Sequence, residues 1–402
     1  MDPLAFVDEE LEALKARGLF RWLRCMEGPH GPVMMVDGRR AVVLASSNYL
    51  GLSTHPRVVG AAVEAAVRYG CSVGASRLIA GNHELYAQLE DRLAALKGTE
   101  AALVFSTGYM ANLGVLGALA GPDDVIFSDA LNHASIIDGI RLSRAGVVVF
   151  PHSDPAGLED LLRAHQHRRR RIVVVDGVFS MDGDIAPLPD LLAVARRWGA
   201  LVVVDDAHGT GTCGPGGAGA LAASGLRGAA DLEVGTLGKA LGSFGAFVAG
   251  SRKLIGLVIN KARSFIFTCG LPPSALAAAS AALDVLRDEP DLPVRLMDNA
   301  RQVRETLGRA GFDLSPSTTH ILPLHVGDSR RTMALCERLL DAGVFAQGIR
   351  YPTVLEGTER LRLTPMATHT ADQLAAACRT IVECGAALGL PAARATPRAS
   401  SR

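Results

Sequence analysis

Two side chains of opposite charge stand 34 residues apart in contexts suited to covalent chemistry. Asp205 closes the apolar run Leu201-Val-Val-Val-Asp205, and Lys239 lies in Gly238-Lys-Ala-Leu-Gly242. A short β-branched run reads as a buried strand, and open α/β sheets gather ligands at the carboxyl ends of their strands. The small residues around Lys239 leave room for something large against the backbone. A lysine in a Gly-rich turn could anchor a phosphate, but the spacing Gly-x-x-x-x-Gly-Lys-Ser/Thr is absent. Its other use is covalent, as an amine of lowered pKa that condenses with a carbonyl. Singly, a turn-capping aspartate and a surface lysine explain both residues. Together they are what pyridoxal 5'-phosphate (PLP) requires: a carboxylate that keeps the pyridine nitrogen protonated and an amine that holds the aldehyde.

Other segments converge on the same reading. His208 follows Asp205 closely enough to reach the phenolic oxygen, and Thr236, three residues before the lysine, offers a hydroxyl to the phosphate. Phe105-Ser-Thr-Gly-Tyr-Met-Ala-Asn112 joins an expected strand to an expected helix, so the amides of Gly108 and Tyr109 would form an anion cradle at a helix N-terminus. His133 follows another strand and could lie flat on the ring, and Ser180 sits at a further strand end.

The elements that must position these residues follow from pattern. Apolar runs at 101–105, 125–127, 147–150, 172–175 and 201–204 alternate with helix-period sequence, which predicts an α/β fold with a mainly parallel sheet. An opening helix is expected over residues 3–24, with Asp2 as N-cap, followed by a hairpin around Asp37-Gly38. Asn82 is expected to cap a helix carrying Leu85, Leu89, Leu93 and Leu96 and ending at Gly98. Past Pro290 a helix over about 291–310 opens a smaller α+β region. The expected organisation is an N-terminal helix and hairpin (1–45), a large domain (46–289), a small C-terminal domain (290–390) and a frayed tail (391–402). Lys+Arg and Asp+Glu both number 41, so no overall field recruits nucleic acid or an acidic membrane. The basic run at 165–171 reads as a solvated helix end. Seven scattered cysteines without a Cys-x-x-Cys pair suit a reducing, cytoplasmic setting, and no metal-ligand spacing is present.

The chain resembles the α-oxoamine synthases, fold type I PLP-dependent transferases that join an amino acid to an acyl-CoA and release carbon dioxide. The resemblance runs from about Leu11 to Leu388. It is carried by residues 128–139 and 179–184, by Asp205-Asp-Ala-His-Gly-Thr-Gly211, by 236–239 and by 352–364. It implies that Lys239 is the Schiff-base lysine and proton-shuttling base, that Asp205 pairs with the pyridinium nitrogen, that His208 contacts the phenolic oxygen and that His133 stacks on the ring. Gly108, Tyr109, Ser180 and Thr236 would contact the cofactor; Arg21, His133 and Thr353 would touch substrate, and Arg362 would anchor the amino-acid carboxylate. The favoured substrates are L-alanine and a pimeloyl thioester on CoA or acyl carrier protein, with glycine as the alternative amino acid, and the resemblance implies a homodimer. Ser47 and Tyr351 depart from the favoured member's pattern. The rival from another class is an NAD-dependent dehydrogenase, through Gly209-Thr-Gly-Thr-Cys-Gly214 with Asp231 beyond it, although Pro215-Gly-Gly217 argues against a helix opening there.

Overall fold

The computed structural model describes residues 3–390, which divide into two compact units. The larger comprises residues 47–180 and 184–296, the smaller the remaining described residues. Residues 181–183 belong with the smaller unit, and the division also falls within the helix Asp291–Arg309.

The large unit is built on a seven-stranded sheet. Its strands in spatial order are Ala101–Phe105, Ala246–Gly250, Leu232–Thr236, Leu201–Asp205, Arg171–Asp176, Val125–Asp129 and Gly146–Phe150. The last five are mutually parallel, whereas Ala246–Gly250 runs antiparallel to both of its neighbours. That strand ends in glycine and sits among Gly242, Gly245 and Gly250, so its composition reads as turn and it was not singled out. Val125, Ile126, Phe127 and Val173 are fully enclosed, as continuous apolar strands of a central parallel sheet must be. At the edge, Gly146–Phe150 alternates instead and leaves Val147 and Val149 more than half exposed.

One local expectation is corrected. The helix beginning at Glu84 is capped by His83, whose Nδ1 accepts from the Leu85 amide at 3.3 Å; Asn82 accepts from the Arg77 guanidinium instead. Leu89 and Leu93 of that helix are buried, but so is Lys97, one turn beyond Leu93. The basic run at 165–171 follows helix Pro155–Ala164 and is partly solvated, while Arg169 and Arg170 also converge on the buried Asp124 carboxylate at 3.1 and 2.9 Å.

The small unit holds a four-stranded sheet ordered Met26–Glu27, Val33–Val36, Arg39–Val43, Val344–Phe345, and a three-stranded one ordered Leu322–His325, Arg360–Leu363, Gln347–Ile349. Leu322, Leu324, Leu335, Leu339, Leu361, Leu363, Leu374 and Ile381 make its core with the helices Ser329–Asp341 and Ala371–Ala386. The hairpin turns at Asp37 and Gly38 with φ of 49° and 73°, the pair of left-handed residues a two-residue type I′ turn demands. The first helix is shorter than expected, spanning Ala5–Ala16, because the chain reverses at Gly18 with φ 65°. Asp2, expected as its cap, and the tail 391–402 lie outside the described residues. All seven cysteines are free thiols, and no helix among the described residues is long and apolar enough to cross a membrane.

Candidate active site

The parallel strands of the large unit end at one cavity of about 230 Å³. Gly108, Tyr109, His133, Ser180, Asp205, His208, Thr236 and Lys239 all line it, joined by Asn112, Ser135, Asp176 and Ala207. Local structure explains the convergence. Leu201–Asp205 and Arg171–Asp176 are in register, which sets Asp205 beside Asp176. Strand Leu232–Thr236 leads into a tight turn closed by the Leu237 amide donating to the Gly245 carbonyl at 2.9 Å, and Lys239 projects from that turn. Gly242 makes the turn possible: its φ is 59°, and a Cβ there would meet the Ser53 amide nitrogen at 2.3 Å. Helix Gly108–Leu119 starts from Thr107, whose hydroxyl accepts from the Met110 amide at 3.1 Å. The Gly108 and Tyr109 amides fall in its first turn, where backbone N–H groups have no partner within a helix.

Asp205 is 6% exposed; it accepts from the Ala207 amide at 3.0 Å and from Asn112 Nδ2 at 2.6 Å. Lys239 Nζ lies 2.9 Å from His208 Nε2, and Tyr49 Oη lies 2.8 Å from Nδ1 of the same ring. His133 caps helix Ala134–Ser143. Burial holds its imidazole below the ordinary value against the pull of Asp205, and the Lys239 charge adds to the lowering. Asp176 accepts from the His133 amide at 3.0 Å; burial, followed by the charge of Asp205, pushes its carboxyl well above the usual range. Asp176 is thus driven toward the neutral form.

This donor set fits PLP. An amine stands ready for an aldehyde, a buried carboxylate for a pyridinium, and first-turn amides for a phosphate. The buried Oδ1 of Asn112 meets no partner among the described residues, which leaves an open acceptor beside the cavity. Thr236 Oγ donates to the Gly245 carbonyl at 3.1 Å and accepts from the Gly238 amide at 3.2 Å, so it also orders the lysine turn.

Sequence reasoning did not name Tyr49, Asn112, Ser135 or Asp176. Asn112 and Ser135 lie within segments already singled out, and Asp176 ends an expected strand as Asp205 does. Tyr49 carries no local signal, since only the fold brings it to His208.

The remaining predicted residues belong to the small unit. Arg21 and Thr353 line one cavity of about 200 Å³ together with Trp22, Arg24 and Arg350. Arg24 pairs with Asp37 at 2.9 Å and with Glu337. Arg350 is buried and donates to the Phe20 carbonyl at 2.6 Å and to that of Gly18; its burial and the nearby Arg21 charge lower its pKa. Arg362, in strand Arg360–Leu363, is 9% exposed, so it is no strand-surface charge. At the dehydrogenase-like segment no helix opens: Gly214 is left-handed (φ 71°) and the 3₁₀ turn Pro215–Gly217 follows. Asp231 accepts from the Val202 amide at 2.7 Å. The geometry of a dinucleotide fingerprint is missing there.

The chain matches the aminotransferase class I and II family over residues 39–381. It is 54% identical to the 8-amino-7-oxononanoate synthase of Geobacter metallireducens, over 95% of this chain and 98% of that protein. Its fold superposes on a serine palmitoyltransferase from S. paucimobilis, solved with bound PLP and myriocin, with a TM-score of 0.92 and 34% identity, covering 97% of this chain and 100% of that one. An 8-amino-7-oxononanoate synthase from Francisella tularensis gives a TM-score of 0.73 at 28% identity, covering 85% and 97%. A fold of this kind, ending its strands at a cavity that pairs a lysine with a buried aspartate, places the chain in the aminotransferase class I and II family and, within it, among the PLP-dependent α-oxoamine synthases.

Proposed function

We propose that the protein condenses L-alanine with a pimeloyl thioester, releasing the thiol carrier and carbon dioxide and yielding 8-amino-7-oxononanoate, a precursor of biotin. The observation that carries the reading is the single cavity uniting Lys239, Asp205, His208 and His133 with the helix N-terminus at Gly108; the identity with 8-amino-7-oxononanoate synthases supports the choice of substrates. Bound there, PLP supplies an electron sink for the negative charge that develops at the amino acid's Cα. The chain's own residues do the rest. Lys239 Nζ would hold the aldehyde and is the amine placed to take the Cα proton. Asp205, fixed by Asn112 and the Ala207 amide, faces the ring nitrogen and favours its protonated form. His133 covers the ring, His208 meets the phenolic oxygen, and the Gly108 and Tyr109 amides with Ser180 and Thr236 receive the phosphate and ring. Together these residues would hold cofactor and amino acid in one fixed orientation, a positioning effect worth several kcal/mol.

Arg362 receives the amino-acid carboxylate through its planar fork of donors. Arg21 and Thr353 contact substrate, and the nearness of Arg21 to Arg350 suits an acyl group that ends in an anion, as pimeloyl does. The donor is carried on CoA or acyl carrier protein. The protein acts as a cytoplasmic homodimer, a setting its seven free thiols suit.

Two measurements test this. Lys239→Ala is expected to abolish turnover and the visible absorbance of the cofactor-loaded protein; an unchanged spectrum removes the lysine from its role. Alanine, glycine and serine, each offered with pimeloyl-, succinyl- and acetyl-CoA, are expected to rank alanine with pimeloyl-CoA first in kcat/KM. A clear preference for glycine with succinyl-CoA overturns the substrate assignment and leaves the family standing.

A further inference from the structure

A directed chain of hydrogen bonds runs along the cavity from Asp205 to His133, and the chemistry of its members fixes its direction. A carboxylate only accepts, so the Asn112 atom 2.6 Å from Asp205 Oδ2 is the amide nitrogen. The same nitrogen reaches Ser135 Oγ at 2.8 Å, which engages both of its hydrogens. Ser135 Oγ is therefore an acceptor toward Asn112, and toward His133 Nδ1, 2.8 Å away, its hydroxyl can donate or accept. The Ser135 backbone N–H donates to that same Nδ1 at 3.2 Å. A ring nitrogen that accepts from a main-chain N–H carries no proton, so the Ser135 hydroxyl donates to it as well and the ring proton of the neutral imidazole sits on Nε2. Protonating Nδ1 would give up the helix cap and force the hydroxyl to turn its hydrogen away from the ring.

We propose that Asn112 and Ser135 are positioning residues that lock His133 as its neutral Nε2–H tautomer, so that the ring offers the cavity a fixed hydrogen-bond donor and does not exchange protons at Nδ1. The lock begins at the charge of Asp205, which turns the amide of Asn112 and through it sets each bond that follows. The charged and titratable groups that share the cavity with the ring are Asp205, Asp176, Lys239, His208 and Tyr109; Asp176 also holds the His133 main-chain N–H at 3.0 Å. Ring burial works in the same direction as the lock. The use of the donor, toward an oxygen of bound substrate, rests on the proposed function, but the tautomer does not.

The test is ring-¹⁵N spectroscopy of the histidine-labelled full chain, with and without added PLP, the His133 signal being assigned by its loss in His133→Gln. At pH 6.0 an ordinary imidazole, with a pKa of about 6.5, is mostly protonated. His133 is expected to show one bare nitrogen, Nδ1, and one protonated nitrogen, Nε2. Ser135→Ala removes the hydroxyl and keeps the amide, and is expected to raise the ring's titration midpoint by at least half a pH unit; Ser135→Thr is expected to restore it. A doubly protonated ring at pH 6.0 in the unaltered chain, a proton on Nδ1, or a midpoint unmoved by Ser135→Ala each overturns the proposal. If the chain takes up no PLP, the proposed function fails while the cofactor-free spectrum still decides the tautomer.

Discussion

His152 shows how one titratable side chain can hold a loop. Its Nδ1 lies 2.9 Å from Asp129 and its Nε2 3.0 Å from Asp184, with the ring edge-on to Phe179 at 4.3 Å. Burial disfavours the imidazolium, but hydrogen bonds to Asp129 and Asp184 outweigh it and raise the pKa to about 10. Asp129 ends the strand next to the sheet edge, while Phe179 and Asp184 flank the segment carrying Ser180, so the imidazolium joins two parts of the cavity's frame. A pKa raised above the unfolded value of about 6.5 contributes stability that is complete below that pH and is lost as pH climbs toward 10. The ring is about a quarter exposed, so a loss of roughly 2–3 kcal/mol is expected rather than the full shift. Thermal unfolding of the protein and of His152→Phe between pH 6 and 10 checks it. The variant's curve should be flatter in that window, and parallel curves would show that the imidazolium contributes nothing.

Among elements, the decisive junction joins helix Glu84–Lys97 to the two strands that bear the proposed cofactor residues. Lys97 is fully buried and donates to Asp206 at 2.7 Å, to the Ala218 carbonyl at 2.9 Å and to Glu233. Asp206 directly follows Asp205, and Glu233 lies on the strand that leads to Thr236 and Lys239. One cation thus serves two buried carboxylates, and burial pushes Glu233 up to about 8 against the pull of Lys97. Removing one partner of a buried pair typically costs about 3–5 kcal/mol, because the other charge is left uncompensated. Lys97→Met is expected to fall in that range by urea unfolding, and Lys97→Met with Glu233→Gln should recover part of the loss. Strictly additive effects in this double-mutant cycle would mean that the two groups do not share a charge balance.

For the whole molecule, the large unit leaves Ile79 81%, Phe267 71% and Phe244 56% exposed, apolar side chains of the kind a partner subunit covers. Sedimentation equilibrium should return about twice the 42.1 kDa chain mass. A monomer retaining full turnover would contradict the proposed dimer.

Much of the site was legible in the chain itself, because strand-end chemistry is local. A β-branched run determines its own strand, and the residue after it must emerge at the sheet's carboxyl edge; that is why Asp205, His133, Ser180 and the Gly108 turn could be named from spacing. The Asp37-Gly38 hairpin was legible for the same reason, since both turn residues had to adopt positive φ. What needed long-range pairing was not legible. The antiparallel strand Ala246–Gly250 exists because its neighbours accept it, and Lys97 occupies a place on an apolar stripe because Asp206 and Glu233, more than a hundred residues away in the chain, meet it there. Tyr49 likewise gains its partner, His208, only through packing. Local propensity and turn chemistry act over a few residues, so they decided which residues could do the chemistry. Tertiary packing alone decided which groups hold those residues in place, because a buried charge or hydrogen bond is satisfied by whatever the fold brings near.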